Sequence, residues 1–237
     1  MNLGEIRSKF IQFSGREDLV NSNGSDNGAD FFIGAGQRFL DRRIDFRKSS
    51  GRIFKPLAVD AYTIKFNGCR AIERVYINDS EERWKLELKT LEWLRDEYFD
   101  TVADTDSGDP IYWSPAMLRG IDIKDMNSVG TFFNFVMNEK GTEDYDGIVI
   151  LPPPDEAMTV EIFGKFYSPN LVDDSDESYW SVVVPETLIQ AALYRLEIFY
   201  RNTEGAKDYL AGIEMDLVDI DKDSIHEDNV NVDQLEG

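Results

Sequence analysis

The sequence predicts an α+β protein, in which a helical bundle built from the N- and C-terminal helices carries an inserted antiparallel β-rich domain. Three observations lead to this prediction. Apolar residues recur at helical spacing at both ends of the 237-residue chain, apolar and polar residues alternate between turn signals in the middle, and the last residues are strongly acidic. We therefore expect a discontinuous bundle domain at 1–49 and 185–218, the inserted β-rich domain at 50–184, and a flexible acidic tail at 219–237.

Two helices are predicted at the N-terminal end of the bundle. The first spans residues 3–14, because apolar residues three or four positions apart precede Gly15, a residue type that commonly ends helices. These apolar residues are Leu3, Ile6, Phe10 and Phe13. A polar loop then leads into a second helix at 28–46, whose start can be capped by Asp26 or Asp30.

The second helix contains Gly34-Ala35-Gly36, which resembles the start of a dinucleotide-binding loop. Such a loop needs a preceding strand and a third glycine at the position that Phe39 occupies here. The preceding residues form no β-type run. We therefore predict an amphipathic helix, in which Gly36 lies on the apolar face and allows another helix to approach closely.

The middle of the chain is predicted to be mostly antiparallel sheet, because its connections are too short for crossover helices. Asn67-Gly68 between two alternating runs indicates a hairpin. The run "RWKLELKT" continues the alternation, with Trp84, Leu86 and Leu88 on one face, and Thr90 is expected to cap a short helix in "TLEWLRDEYFD". Further strands are predicted in "IYWSPAML", "TFFNFVMNE", "GIVILPPP" and "TVEIFGKFYSP".

Helical spacing returns at Pro185, a residue type suited to the first turn of a helix. The third bundle helix has an apolar stripe that is wide enough to predict contacts on more than one side. The stripe consists of Leu188, Ala192, Leu196 and Phe199, widened by Ile189, Leu193 and Tyr200. After a break at Asn202-Thr203, a fourth helix is predicted from the spacing of Ala206, Tyr209, Leu210, Ile213 and Leu217. The tail beyond Val218 cannot bury enough apolar surface to order itself.

The net charge of −21 arises from 46 acidic and 25 basic residues. Such a surface repels phosphate backbones and anionic membranes, which disfavours gripping of nucleic acid and membrane association. The sequence contains neither a long apolar run nor a signal-peptide pattern, so we expect a soluble chain that assembles in a cytoplasm. Cys69 is the single cysteine, so neither an internal disulfide nor a thiolate metal cluster is expected.

No catalytic residue, metal site or cofactor is predicted. The single histidine, His226, lies in the acidic tail, where no scaffold is predicted to hold a catalytic base. Asp219, Asp221 and Asp223 have the spacing of the first EF-hand ligands, but the glycine and the final glutamate that this loop requires are both missing.

Two other classes of function stay open. A carboxylate pair such as Asp144 with Glu161 would suit a glycoside hydrolase, although a solvated acidic surface explains abundant carboxylates more simply. The adjacent pairs Tyr112-Trp113 and Tyr179-Trp180, together with acid-rich turns, would suit a non-enzymatic carbohydrate- or calcium-binding β module. If each pair lies in a strand, one member faces the core and the other is available at an interface.

Four segments, spread over both helical ends and the end of the β-rich middle, carry a resemblance: "EIRSKFIQFSGREDLV", "ADFFIGAGQRFLDRR", "YDGIVILPPPDEAMTVEIFGKFYSP" and "VVPETLIQAALYRLEIFYRNTEGAKDYLAGIEMDL". Together they resemble the head-to-tail adaptor, or connector, proteins of the neck of tailed bacteriophages. The middle of the chain is more elaborate than the short sheet expected of the smallest adaptors. This extra β surface is a candidate for binding a downstream tail or decoration protein.

The resemblance implies a structural virion protein without enzymatic activity. It implies a ring of copies, commonly dodecameric, that docks beneath the portal protein and carries a downstream tail or nozzle protein. Genomic double-stranded DNA would pass through the lumen without sequence-specific binding, and an acidic surface would keep the DNA from sticking. The chain would reside in the neck and tail of the virion after assembly in the host cytoplasm, away from any membrane.

The resemblance also suggests which residues meet these partners. A flexible tail that folds on its partner would bind the portal. Its candidate residues are Asp219, Asp221, Asp223, Ile225, Glu227, Val230, Val232 and Leu235. The wide stripe of the third bundle helix would touch a neighbouring copy through Ile189, Leu193 and Tyr200.

Overall fold

A computed structural model describes the backbone of residues 1–44, 49–79, 81–98, 106–115, 118–119, 136–137 and 146–232. The chain divides into two compact units, a discontinuous helical unit (1–49 with 167–237) and a β unit (50–166). Within the described residues there are six α-helices: α1 (Leu3–Ser14), α2 (Ala29–Arg43), α3 (Leu91–Glu97), α4 (Tyr179–Val183), α5 (Pro185–Phe199) and α6 (Thr203–Val232). The α+β fold class is confirmed.

Helix α1 begins and ends where its sequence predicts. The side chain of Asn2 accepts a hydrogen bond from the Glu5 amide at 2.9 Å, and the Glu5 carboxylate accepts one from the Asn2 amide at 3.1 Å, which forms a capping box. Gly15 ends the helix with a φ of 66°, a value that favours glycine. Leu3, Ile6 and Phe10 are buried, whereas Phe13, predicted on the same face, is 63% exposed.

Helix α2 contains both glycines of the predicted Gly34-Ala35-Gly36 segment, so these residues form no phosphate-binding loop. Asp26 caps the start of the helix by accepting hydrogen bonds from the amides of Gly28 and Asp30, each at 2.9 Å. A Cβ atom built on Gly36 would lie 2.7 Å from the backbone nitrogen of Ala192 in α5. The expected close approach of a second helix at Gly36 is therefore present.

Helix α5 begins at Pro185, as predicted, and is buried on a wide face in the core of the helical unit. Ile189 is 7% exposed and Leu193 is 4% exposed. Both side chains are thus covered within the chain itself, which leaves them almost no surface for a neighbouring copy. Of the three residues predicted to touch a neighbour, only Tyr200 is exposed, at 46%.

Helix α6 starts at Thr203, the second residue of the predicted break, but it does not end at residue 218. It continues to Val232, so the backbone of residues 219–232 is helical where the sequence analysis expected a flexible tail. Two features allow the helix to continue beyond residue 218. No glycine or proline follows Gly212 before residue 233, and Ile220 still packs against the helical core.

The segment 167–184 belongs to the helical unit, although the sequence analysis assigned it to the inserted domain. A buried carboxylate holds it there. Asp41 on α2 accepts hydrogen bonds from the Trp180 indole at 2.7 Å and from the Ser168 hydroxyl at 2.8 Å. Trp180 is fully buried, and Ser178 caps a short helix that begins at Tyr179, inside the segment that the sequence analysis assigned to the β-rich domain. The inserted unit therefore ends at residue 166.

The β unit contains ten strands within the described residues, and they form two four-stranded sheets and one short pair. The strands are β1 (Ser50–Leu57), β2 (Thr63–Phe66), β3 (Cys69–Asn78), β4 (Arg83–Lys85), β5 (Glu87–Leu88), β6 (Tyr112–Pro115), β7 (Leu118–Arg119), β8 (Val136–Met137), β9 (Asp146–Leu151) and β10 (Met158–Phe166). The strand orders are β1-β10-β3-β4, β2-β9-β6-β5 and β7-β8. The four-stranded sheets are antiparallel, as predicted, except where β5 pairs with β6.

The predicted hairpin at Asn67-Gly68 is not a hairpin, because the two strands that this turn connects pair in different sheets. Gly68 makes the sharp turn with a φ of 74°, and β2 then pairs with β9 while β3 pairs with β10. The run at 83–90 also changes sheet, at the buried Leu86, so Leu88 is 58% exposed and does not share a face with Leu86. The sheets share one apolar core.

The remaining predictions for the β unit have mixed outcomes. Thr90 caps α3, where its hydroxyl accepts a hydrogen bond from the Trp93 amide at 3.2 Å. Strand β1 was not predicted individually, and Pro56 is tolerated in it because β1 lies at the edge of its sheet. Only Val136–Met137 of the run "TFFNFVMNE" belong to the described residues.

Candidate assembly surface

An exposed aromatic patch lies where the ends of three segments of the helical unit meet. Phe31 at the start of α2 is 70% exposed and Phe199 at the end of α5 is 65% exposed. The buried Phe32 connects them, with ring centroids 5.3 Å from Phe31 and 5.7 Å from Phe199. Tyr200 extends the patch at 5.2 Å from Phe199. Exposed aromatic side chains that cluster in this way are typical of protein interaction sites.

Arg16 holds the Tyr200 end of the aromatic patch. Its guanidinium carbon lies 4.4 Å from the centre of the Tyr200 ring, a cation–π geometry. The same guanidinium donates two hydrogen bonds to Asp18, at 2.8 and 2.7 Å, and this contact lowers the pKa of the Asp18 carboxyl. The ring of Tyr200 is therefore held in place although it is exposed.

A buried arginine fixes α1 to α2 next to this patch. Arg7 is 3% exposed and donates two hydrogen bonds to the Asp30 carboxylate, both at 2.7 Å. Its third nitrogen lies 2.7 Å from the Asp174 carboxylate. The hydrogen bond to Asp30, opposed by burial and assisted by Asp174, raises the pKa of Arg7. A buried charge that is paired on both sides keeps the surrounding segments in one arrangement.

The outward face of α2 carries four residues with successive spacings of four, three and four, which we call the α2 row: Phe31, Ala35, Arg38 and Arg42. All are exposed except Ala35, which is partly buried. In the described part of the chain the two arginines contact neutral groups. Arg38 donates to the Asn170 side chain at 3.4 Å and Arg42 donates to the Tyr167 hydroxyl at 3.2 Å. The row is thus apolar at one end and positively charged at the other.

The outward face of α6 carries a second set with the same spacing, which we call the α6 row: Glu204, Asp208, Ala211 and Met215. All four residues are exposed, and Met215 is 72% exposed. Neither carboxylate of this row has an ion-pair partner within the described residues. This row is therefore negatively charged at its N-terminal end and apolar at its C-terminal end. The sequence analysis identified neither row, because it used helical spacing only to find buried faces.

The predicted portal-binding residues lie on or beyond the last part of α6. Asp219, Asp221 and Asp223 are exposed, and Asp219 accepts a hydrogen bond from Lys222 at 2.8 Å. The backbone of Ile225, Glu227, Val230 and Val232 is helical, and their side chains are outside the described part of the structure. Leu235 also lies outside the described residues.

The residues considered for a hydrolase or a binding module are placed elsewhere. The carboxylate of Glu161 is buried and accepts hydrogen bonds from Arg52 at 3.2 Å and Arg83 at 2.9 Å, whereas Asp144 lies outside the described residues. Trp113 and Trp180 are both buried in cores, so neither is a platform for a sugar. Within the described residues, no group of three or more His, Cys, Asp or Glu side chains is arranged to hold a metal ion.

Comparison with known proteins agrees with an assembly role. Among the helices of the described residues, none has the length and apolar character needed to cross a membrane. No curated protein matches the chain. A family model described as SU10 adaptor protein matches residues 1–231, which is nearly the whole chain. The chain therefore belongs to the SU10 adaptor protein family of bacteriophage adaptors and is a structural component of a phage virion.

Proposed function

We propose that copies of this chain form a ring in the neck of the virion, between the portal protein and a downstream tail or nozzle protein, with the genomic DNA passing through the ring. The observation that carries this proposal is the family match over residues 1–231. In this proposal the chain acts by binding and positioning proteins, without catalysis, and it enters the virion during assembly in the host cytoplasm.

The surface of the helical unit supports self-assembly. The aromatic patch, the α2 row and the α6 row place exposed apolar side chains next to charges of both signs. Phe31, Phe199 and Met215 are each at least 65% exposed. Burying such side chains against a protein partner contributes on the order of 25 cal/mol per Å² of apolar surface.

The charge of the chain supports passage of DNA without binding. A net charge of −21 over 237 residues places an excess of carboxylates on the surface. Carboxylates repel the DNA phosphates, which carry the same charge. Binding to DNA is normally favoured when Lys or Arg side chains displace the counterions of the phosphates, and an acidic surface does not do this. A ring of such copies would let a duplex slide through its lumen.

For docking to the portal, we assign the end of α6 and the residues that follow it. Ile220 is the last residue of α6 that packs on the helical core within the described residues, and Asp221, Lys222 and Asp223 are exposed. A chain that ends at Lys222 keeps this last core contact and the hydrogen bond between Lys222 and Asp219. We expect it to fold normally, to form the ring and to lose docking to portal rings from the source phage.

Electron microscopy tests this function directly. The full chain is imaged alone and after mixing with portal rings, and the chain that ends at Lys222 serves as the matched variant. An added tier beneath the portal, present with the full chain and absent with the shortened one, would support both parts of the proposal. Monomers in every sample would refute the adaptor ring. A tier that forms equally well with the shortened chain would refute the docking role of the α6 end.

A further inference from the structure

The α2 row and the α6 row match each other in spacing when the two helices run antiparallel. From Phe31 to Arg42 the successive spacings in the α2 row are four, three and four residues, and from Met215 back to Glu204 the spacings in the α6 row are the same. Each row covers about 16 Å of helix at 1.5 Å per residue. Two such rows can therefore lie against each other along their whole length, with one contact per helical turn.

The rows also match in chemistry in this antiparallel register. The aromatic ring of Phe31 meets the thioether of Met215, a favourable sulfur–aromatic contact. Ala35 meets Ala211 in the middle, where small side chains let the helices approach. The remaining contacts are two ion pairs of opposite charge, Arg38 with Asp208 and Arg42 with Glu204.

A parallel arrangement of the same two helices does not produce this match. It places Phe31 opposite Glu204 and Arg42 opposite Met215, so each charge faces an apolar side chain. Burying an unpaired charge against an apolar group is unfavourable. The chemistry of the rows therefore selects the antiparallel register.

We propose that the α2 row of one copy docks antiparallel on the α6 row of the next copy, and that this contact joins neighbours in the assembled protein. The inference rests on the proposed ring, since it names the surface through which the ring is built. Two different surfaces meet, so the contact is heterologous. Each copy offers a free α2 row and a free α6 row to further copies, and repetition closes a ring when the rotation between copies permits.

Site-specific disulfide formation tests this contact at the level of single residues. Ala35→Cys and Ala211→Cys each place a thiol in the middle of one row, and both replace small, solvent-accessible side chains. A disulfide needs Cβ atoms about 4 Å apart, so it forms only when these positions are in contact. Three samples are compared: each single variant and a mixture of the two. Each sample is assembled both without and with portal rings, and is then oxidised mildly. Different tag lengths identify mixed dimers on a non-reducing gel.

We expect a disulfide-linked dimer in the mixture and none in either variant alone. The wild-type chain is the blank for the buried Cys69. Ser8→Cys, exposed on α1 and outside both rows, replaces Ala211→Cys in the matched control and should give no mixed dimer with Ala35→Cys. A dimer of one variant with itself would indicate a symmetric contact and overturn the proposal.

Charge reversal provides an independent readout of the register. Arg38→Glu places a carboxylate opposite Asp208, so we expect the disulfide yield to fall at least about tenfold. Adding Asp208→Arg to the same chain should restore the yield, because the pair is then inverted. Lys9→Glu makes the same charge change at an exposed position of α1, outside both rows, and should leave the disulfide yield unchanged. Failure of Asp208→Arg to restore the yield would overturn the pairing.

The outcomes separate this inference from the proposed function. If rings or portal-bound tiers form without the disulfide between positions 35 and 211, the adaptor ring stands and the α2–α6 contact is wrong. If the thiol at position 35 links to the portal protein instead, that face binds the portal and the inference is likewise overturned. If no sample assembles in any condition, the ring proposal fails and the contact fails with it.

Discussion

Replacing Gly36 by alanine tests how closely α2 and α5 pack. An added Cβ atom would lie 2.7 Å from the backbone nitrogen of Ala192 and 2.9 Å from the carbonyl carbon of Ala191. Ordinary contact begins near 3.4 Å, so the helices would have to separate by about 0.7 Å. Both obstructing atoms belong to the backbone of a helix, and they cannot rotate away as a side chain could.

The expected magnitude follows from two opposing effects. Alanine favours the helix by about 1 kcal/mol over glycine. Separation of α2 from α5 disturbs a tightly packed core, and overpacking of this kind destabilises proteins by about 1–3 kcal/mol, occasionally more. Because the obstructing atoms belong to the backbone of α5, we expect an overpacking cost of about 2–3 kcal/mol, so that Gly36→Ala lowers the free energy of unfolding by about 1–2 kcal/mol after the gain in helix propensity.

Gly34→Ala is the matched control in the same helix. Nothing lies within 4 Å of a Cβ atom at Gly34, so this change brings only the gain in helix propensity. We expect it to raise the free energy of unfolding by up to about 1 kcal/mol. Urea unfolding followed by helical circular dichroism measures both variants. If Gly36→Ala is as stable as Gly34→Ala, the close approach of α2 and α5 is not present in the protein.

Three further predictions concern the helical unit. Asp41→Ala should lower the free energy of unfolding by about 3 kcal/mol or more, since it leaves the buried Trp180 indole and other donors without their acceptor; a loss below about 1 kcal/mol in urea unfolding would contradict this role. Leu196→Asp should destabilise the unit by several kcal/mol, because Leu196 is 4% exposed, whereas Ile198→Asp should be tolerated at 45% exposure. Equal thermal stability of these two variants would refute the burial of α5. Hydrogen bonds from the backbone amides of Val172 and Asp173 lower the pKa of Asp176 below its ordinary value of 3.8. The ionised carboxylate therefore stabilises the fold above pH 3.8, and this stabilisation is lost as the pH falls through the lowered pKa. Asp176→Asn should therefore flatten the acid limb of a plot of stability against pH, and an unchanged limb would show that the carboxylate has no such role.

Helix positions were predicted well because their signals are local. Asn2, Gly15, Thr90 and Pro185 act on backbone groups within a few residues, so the sequence around each of them determines where a helix begins or ends. The same reasoning failed at the C-terminal end of α6. There the expectation of a flexible tail came from an acidic composition with too little apolar surface to bury, but a helix without glycine or proline that is still anchored at Ile220 extends beyond its last buried turn.

Strand pairing was predicted less well because it depends on residues far apart in the sequence. Asn67-Gly68 correctly marks a sharp turn, but a turn does not determine which strands pair on either side of it. Strands β2 and β3 find their partners in β9 and β10, 80 or more residues further along the chain. Competition among such distant partners is settled by burial of the shared core, which no short segment encodes.

The candidate assembly surface was also predicted only in part. Of the three residues proposed to touch a neighbouring copy, Tyr200 is exposed, whereas Ile189 and Leu193 lie on the same apolar stripe and are buried. The width of the stripe indicates that α5 contacts more than one element, but it cannot distinguish a helix of the same chain from a helix of another copy. Both cover apolar surface equally well.

By itself the sequence determined the α+β class, the start of each described helix except α4, the close approach at Gly36 and the resemblance to phage adaptors, since each depends on short-range patterns or on spacing along one helix. The tertiary structure alone decided the end of the inserted unit at residue 166, the exchange of strands between sheets, and which apolar residues remain exposed. The physical reason is that burial is a property of the whole packed chain. A side chain such as Asp41 or Phe31 acquires its role only when distant segments have covered it or left it open to a partner.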